Sequence, residues 1–215
     1  AAWSWNPVTG CKRGCDYCYA RDIANRFNPQ KFEPTYHPER LAAPYNTTVP
    51  EPSEEGDTGY KSVFVCSMAD LFGPWVPQKW IDDVILTISG APQWTFLFLT
   101  KYPKRMVDIG WPSNAWVGTT VDTQARVRVA EESFAKIKAP VKFVSCEPML
   151  EKLTFSSLNM FDWVVMGGAS KSSKTPEFNP PWLWAEHLLN QAREAGCDVY
   201  FKPNLKNRPR EYPTG

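Results

Sequence analysis

Histidine is almost missing from the chain, with two residues, His37 and His187, in 215. Neither has a partner at zinc-finger spacing, and neither belongs to a Ser-His-Asp pattern. Finger-type zinc sites and triad hydrolases therefore have little to build on. No apolar run reaches 18 residues, so no bilayer-spanning helix is expected. Net charge is also missing: 24 Lys+Arg against 23 Asp+Glu leave +1. That balance argues against a strongly electrostatic binder of nucleic acid or anionic membranes. The opening AAWSWNPVTG has neither a basic start nor an apolar stretch, so it does not read as a signal peptide. A hydrophobic content of 43% excludes a wholly disordered chain.

What the chain does have is 20 Pro, 10 Trp and 6 Cys. The length suits one domain over residues 1–215 with one sizeable core. Cys11, Cys15 and Cys18 are clustered, whereas Cys66, Cys146 and Cys197 are isolated. A disulfide framework normally belongs to a smaller, loop-rich secreted chain. The trio reads better as metal-binding thiolates in a reducing cytoplasm.

Short apolar runs alternate with amphipathic segments. The runs are 62–66, 95–100, 115–120, 141–146, 162–167 and 198–202, with a further strand near Trp3–Asn6. Most are rich in Val, Phe and Trp and bounded by turn residues, as buried parallel strands are. Helices are expected after Pro77 and after Asp122 as a cap. Another is expected between Pro181 and Gly196, and a shorter one after Cys18 with Ala20, Ile23, Ala24 and Phe27 inward. The alternation means a parallel α/β fold of about six strands, as an open sheet or a partial barrel. Residues 28–61 hold six prolines and no clear period, and read as an irregular surface excursion. Residues 203–215 read as a C-terminal tail.

In parallel α/β folds ligands gather at the carboxyl ends of strands. Those ends carry Ser67 and Asp70, then Lys101, then Thr119 and Thr120, then Cys146 and Glu147, and finally Lys202. Each of these residues could equally be a cap or a turn. Their concentration on one rim makes it a candidate pocket. Cys146 could face that pocket as a reactive thiol or pack as a small hydrophobe. Trp75, Trp111 and Trp182, with the basic tail of Lys202, Lys206, Arg208 and Arg210, could contact nucleic acid or simply pack.

Cys11-x-x-x-Cys15-x-x-Cys18 is the strongest signal, because three soft thiolates lie within eight residues. A structural zinc site would want four closed ligands, and no fourth is evident. A four-iron cluster held by three Cys leaves one iron open for a substrate or cofactor. A zinc-stabilised module binding nucleic acid or protein is the alternative reading, with the basic tail supplying its contacts.

The Cys spacing with Tyr17 just before the last Cys resembles the radical S-adenosylmethionine (radical SAM) superfamily. The rest of the chain resembles the phage Gp37/Gp68 family of uncharacterised proteins. The matching segments include Trp5–Cys11, Cys15–Ala20, His37–Leu41, Ser67–Phe72, Phe98–Lys101, Phe143–Pro148 and Asp162–Gly168. This chain has a shorter gap between the first two cysteines than many members. It has Gly168-Ala169-Ser170 where they have Gly-Glu-Ser, and Lys202-Pro203-Asn204-Leu205 where they have Lys-Gln-Trp-Gly.

The resemblance implies a partial (β/α) barrel with a [4Fe-4S] cluster on Cys11, Cys15 and Cys18. It implies S-adenosylmethionine as cofactor, cleaved to a 5′-deoxyadenosyl radical, and a reductant such as flavodoxin or ferredoxin. Under it, Tyr17 lies by the adenine or the cluster loop, and Asp70, with the Ser67 turn, meets the ammonium group. Lys101 meets the carboxylate, Thr119 and Thr120 the ribose, and Glu147 and Lys202 the cofactor or substrate. Cys146 becomes a candidate hydrogen donor, as a cysteine is in the spore photoproduct lyase branch. The substrate stays open between a nucleotide or nucleic acid and a small molecule, and a protein partner could close the barrel mouth.

Overall fold

Seven strands form one all-parallel sheet in the computed structural model, which describes residues 1–54, 57, 59–205 and 209–213. In chain order the strands are β1 (Trp3–Trp5), β2 (Val8–Thr9), β3 (Thr35–Tyr36), β4 (Ser62–Val65) and β5 (Thr95–Thr100). They continue with β6 (Ala115–Thr120), β7 (Val141–Cys146), β8 (Trp163–Met166) and β9 (Asp198–Phe201). The sheet order is β1-β4-β5-β6-β7-β8-β9, and β2 and β3 pair separately as a small antiparallel ribbon. The sheet does not close into a barrel. The expected runs 95–100, 115–120 and 141–146 are strands over those same residues; the other expected runs are one or two residues shorter.

The helices are α1 (Tyr19–Phe27), α2 (Ala43–Asn46), α3 (Gln78–Ser89), α4 (Val127–Phe134) and α5 (Trp182–Glu194). α3 and α5 begin straight after a proline, which has no N–H to leave unpaired. Their apolar residues at three-to-four spacing bury Ile81, Val84 and Ile88, and Ala185, Leu188 and Ala192. Successive side chains of a strand leave opposite faces. Phe96, Phe98, Val117, Val144, Cys146, Val164, Met166, Val199 and Phe201 pack in the main core with the helices. Leu97, Phe143, Trp163 and Val165 form a second apolar cluster, edged by Phe64, Leu99, Trp116 and Tyr200.

Three expectations change. Asp122 does not cap α4; a 3-10 turn over Gln124–Arg126 intervenes, and Asp122 pairs with Arg126 at 2.8 Å. On α1 only Ala20 and Ala24 are buried, and Ile23 and Phe27 face outward. The short helix leaves room for two small residues against the sheet. Within 28–61 the chain is partly ordered: β3, a 3-10 turn at Pro38–Arg40 and α2 lie there. Tyr36 stacks on Trp80 at 5.1 Å and donates to Asp83 at 2.6 Å.

The tail is docked where it is described. Phe201 donates its N–H to Pro209 O at 3.0 Å, and Glu211 N–H reaches Val199 O at 2.8 Å. Arg193 grips the Glu211 carboxylate with two bonds of 2.6 and 2.7 Å, and Val199 N–H adds a third at 2.9 Å. Arg210 sits over the Tyr200 ring at 5.9 Å; Lys206 and Arg208 lie outside the described residues.

Two outcomes follow from this packing. A Cβ on Gly118 would overlap the Phe143 ring, which fills the space of the missing side chain. Gly118→Ala is expected to cost about 1–3 kcal/mol, read as a melting temperature lowered by roughly 2–10 °C. The Arg193 contact holds the Glu211 carboxyl below its ordinary pKa. The latch is therefore in force above the usual glutamate value of about 4.3 and is lost as pH falls through the depressed folded value. Fluorescence of Trp163, 5.7 Å from Tyr212, should report that release, and Arg193→Ala should remove its pH dependence.

Candidate active site

Cys11 opens the cysteine loop directly after β2. Gly10 and Gly14 both have positive φ, +83° and +78°, which lets the chain turn tightly around the thiols. A side chain at Gly10 would also collide with the Glu33 carbonyl. Gly10 N–H donates to Met68 O at 2.8 Å, and Cys11 N–H to Phe32 O at 3.0 Å. His37 joins Thr9 Oγ1 through Nε2 at 2.9 Å, so the His-Pro-Glu-Arg-Leu segment braces the strand that enters the loop. Arg21 donates to Cys15 O at 2.6 Å, and Cys18 precedes α1 as its capping residue.

Contacts from distant sequence fasten the loop from above. Tyr17 donates its hydroxyl to Asp122, which Arg126 holds from the other side. Burial, then that bond to a carboxylate, raises the Tyr17 pKa, so the phenol keeps its proton. Arg126 also donates to Lys101 O at 3.1 Å, and Lys101 Nζ stands 5.4 Å over the Tyr17 ring. Ser172 Oγ donates to Asp16 O at 2.9 Å. Ser173 donates from N–H and Oγ to Asp22, both at 2.6 Å. Residues 168–178 thus form a strap from the end of β8 to the cysteine loop and α1.

Beneath this loop lies a cavity of about 740 Å³. Cys11, Cys15 and Cys18 all line it, as do Tyr17, Ser67, Asp70, Lys101, Thr120, Glu147 and Lys202. The three thiols are in no disulfide and are partly exposed. Burial first, with Asp70 and the neighbouring cysteines adding to it, pushes the metal-free Cys11 thiol up to about 11. Among the described residues, no group of three or more His, Cys, Asp and Glu is gathered closely enough to hold a single metal ion.

Asp70 is buried, and its carboxylate is engaged. It accepts from Thr100 Oγ1 at 2.5 Å, Lys101 N–H at 2.9 Å and Phe72 N–H at 3.2 Å. Burial raises its pKa against those bonds. The turn before it starts at Cys66, which holds φ +58°, a conformation that favours glycine. Glu147 and Lys202 form an ion pair at 3.2 Å on the opposite wall. Gly167 makes room for that pair, since a Cβ there would stand 3.0 Å from Lys202 and 3.1 Å from Glu147.

Two expected site residues do not line the cavity. Thr119 is buried and donates to Thr100 O at 2.9 Å; its neighbour Thr120 faces the space. Cys146 is wholly buried among the helix-side core residues, and burial raises its pKa. Ser145 is the residue of β7 that lines the cavity at that level. Alternation along the run Val141–Cys146 could have found it, because Phe143 and Ser145 share parity. The expected base-stacking tryptophans are engaged internally: Trp111 on Phe98 at 5.0 Å, Trp75 on Tyr102 at 5.5 Å and Trp182 on Phe201 at 6.0 Å. Sequence reading also missed Arg13, Tyr19, Trp163, Tyr200 and Tyr212, all on the cavity wall.

The open parallel sheet with its helices is similar in fold to spore photoproduct lyase, a radical SAM enzyme. The solved complex of that enzyme with dinucleoside spore photoproduct matches with a TM-score of 0.55 and 12% identity. The match covers 93% of this chain and 76% of that one, and at such identity it establishes the fold alone. Residues 1–209 match the model of a family described as protein of unknown function (DUF5131), and the chain belongs to that family. No curated protein matches it. No helix among the described residues is long and apolar enough to cross a membrane.

Brief alkylation of the metal-free, folded protein, read by peptide mass spectrometry, should separate the cysteines. Cys11, Cys15 and Cys18 are expected to label. Cys66, Cys146 and Cys197, all buried, are expected to stay protected until the protein is unfolded.

Proposed function

We propose that this protein is a radical SAM enzyme whose Cys11, Cys15 and Cys18 hold a [4Fe-4S] cluster. One observation carries the reading: the three thiols of the x-x-x, x-x spacing line a single cavity at the carboxyl edge of the sheet. The donor set fits the group, being three soft, disulfide-free sulfurs with no fourth thiol in their loop. The shared fold with spore photoproduct lyase supports it. When bound, the cluster and S-adenosylmethionine supply a one-electron cleavage that yields a 5′-deoxyadenosyl radical for hydrogen abstraction.

The chain's own residues bind, orient and shield. Lys101 brings a cation to the wall for the cofactor carboxylate, and Asp70 holds the turn that aims it. The Ser67 turn would meet the ammonium group and Thr120 a ribose hydroxyl, both lining the cavity. Glu147 and Lys202, already paired, present one acid and one base to the cofactor or substrate. Tyr17, fastened to Asp122, and the strap bonds of Ser172 and Ser173 to Asp16 and Asp22 hold the cysteine loop over the cavity. Flavodoxin or ferredoxin is the class of reductant this chemistry requires. Cys146, packed into the core, takes no part in hydrogen transfer.

Anaerobic reconstitution tests the reading. About four irons per chain are expected on a three-Cys site, with a brown chromophore that Cys15→Ala loses. With dithionite and S-adenosylmethionine, the loaded protein should release 5′-deoxyadenosine, and Cys146→Ala should release it undiminished. One tightly held zinc in a colourless, air-stable protein would overturn the assignment.

A further inference from the structure

The cavity has two unlike ends. The cysteines, Arg13, Lys101 and the Glu147–Lys202 pair stand at the carboxyl ends of the strands. Toward the amino ends the wall turns apolar: Phe64, Leu97, Phe143, Trp163, Tyr200 and Tyr212. Trp163 is the first residue of β8, four residues before Gly167, so the floor lies about 13 Å below the rim at ~3.3 Å per residue. The rim groups that would meet a cofactor are therefore a separate layer from this floor.

Trp163 organises the floor. Its ring lies 5.6 Å from Phe143, 5.9 Å from Tyr200, 5.9 Å from Trp116 and 5.7 Å from Tyr212. The Trp116 and Tyr200 contacts are both at 79°, and the indole N–H is tied to Glu211 O at 2.9 Å. The indole plane is thus fixed from several sides. Its polar tip is satisfied, which leaves the ring itself to meet a guest. The Tyr200 and Tyr212 rings meet edge to face at 5.5 Å at the edge of the floor. The charged side chains that line the cavity, Arg13, Asp70, Lys101, Glu147 and Lys202, belong to the rim, and Arg210 of the tail stands 5.9 Å over the Tyr200 ring. Gly118 widens the layer further, letting the Phe143 ring lie over the backbone of β6.

We infer that this floor is the substrate subsite and that it takes an uncharged, planar heteroaromatic ring of nucleobase size. The inference rests on the radical SAM reading for the word substrate, but the pit and its preference stand on ring geometry alone. Aromatic walls in perpendicular and tilted contact reward an inserted flat ring through stacking and edge contacts, beyond the area buried. An aliphatic guest of equal bulk gains only burial. A charged guest loses its hydration without a partner. The Tyr200 and Tyr212 hydroxyls, both on the cavity wall, can each donate to or accept from the ring's polar edge.

Binding is read without cluster or turnover, by saturation-transfer NMR on the protein as purified. The probes are thymidine and, as the aliphatic comparison, cyclohexylmethanol. Thymidine should bind at least tenfold more tightly than cyclohexylmethanol. Tyr212→Ala should weaken thymidine binding at least fivefold while the fold is kept, read as an unchanged far-ultraviolet circular dichroism spectrum. Val165→Trp, which fills the pit, should abolish it; where that variant does not fold, Tyr212→Ala decides. Equal binding of the two probes, no thymidine binding at millimolar concentration, or an unaffected Tyr212→Ala would overturn the inference. Iron content and 5′-deoxyadenosine release are measured separately. A protein that binds thymidine but takes no iron keeps the pit and loses the radical chemistry, and the reverse result does the opposite.

Discussion

A β-strand sends successive side chains to opposite faces of its sheet, and here the two faces meet different surroundings. One packs under helices into a dry core, and the other lines a cavity. Every assignment at the strand ends depends on that parity. Ser145 and Thr120 reach the cavity, whereas Cys146 and Thr119 do not. Moving one residue along a strand exchanges a thiol sealed in hydrocarbon for a hydroxyl facing the cavity. The same alternation places Phe143, Trp163 and Tyr200 in one layer and their neighbours Val144, Val164 and Val199 in the other.

The seven strands were largely readable in the chain because parallel strands buried on both faces appear as dense apolar runs. TFLFLT, AWVGTT and VKFVSC are bounded by turns on both sides and match the observed strands end for end. The cysteine loop was equally readable, since its spacing is local. Less readable was anything that depends on three-dimensional neighbours. Nothing near Asp122 indicated that it would bind Tyr17, 105 residues away, rather than cap the next helix. Nothing in α1 said that Ile23 and Phe27 would turn outward, because an amphipathic pattern records a stripe but not its partner. Cys66 in a left-handed turn was also invisible, because a non-glycine residue carries no mark of positive φ.

The site divides its labour by height. At the rim, charge and soft sulfur are held by a lattice of bonds: Asp70 under Lys101, Arg126 under Asp122, Tyr17 across the top. Below, the walls are rings. A polar layer over an apolar one gives the cavity charged groups at one end and rings at the other. At the rim Glu147 is paired with Lys202, while Arg13 and Lys101 stand over tyrosine rings.

The contacts that hold the cysteine loop also fix when it can form. The thiols lie within the first 18 residues of the sequence, yet the groups that clamp their loop are Asp122, Ser172 and Ser173. A ribosome releases those cysteines more than 150 residues before the last of the clamps. Domains complete themselves as the chain emerges, and contacts of such long separation close last. The loop thus gains its last clamps only once Ser172 and Ser173 have emerged, after the nearer contacts from Phe32, His37 and Met68. A metal held by the fully clamped loop would therefore be held by the finished sheet rather than by the nascent chain.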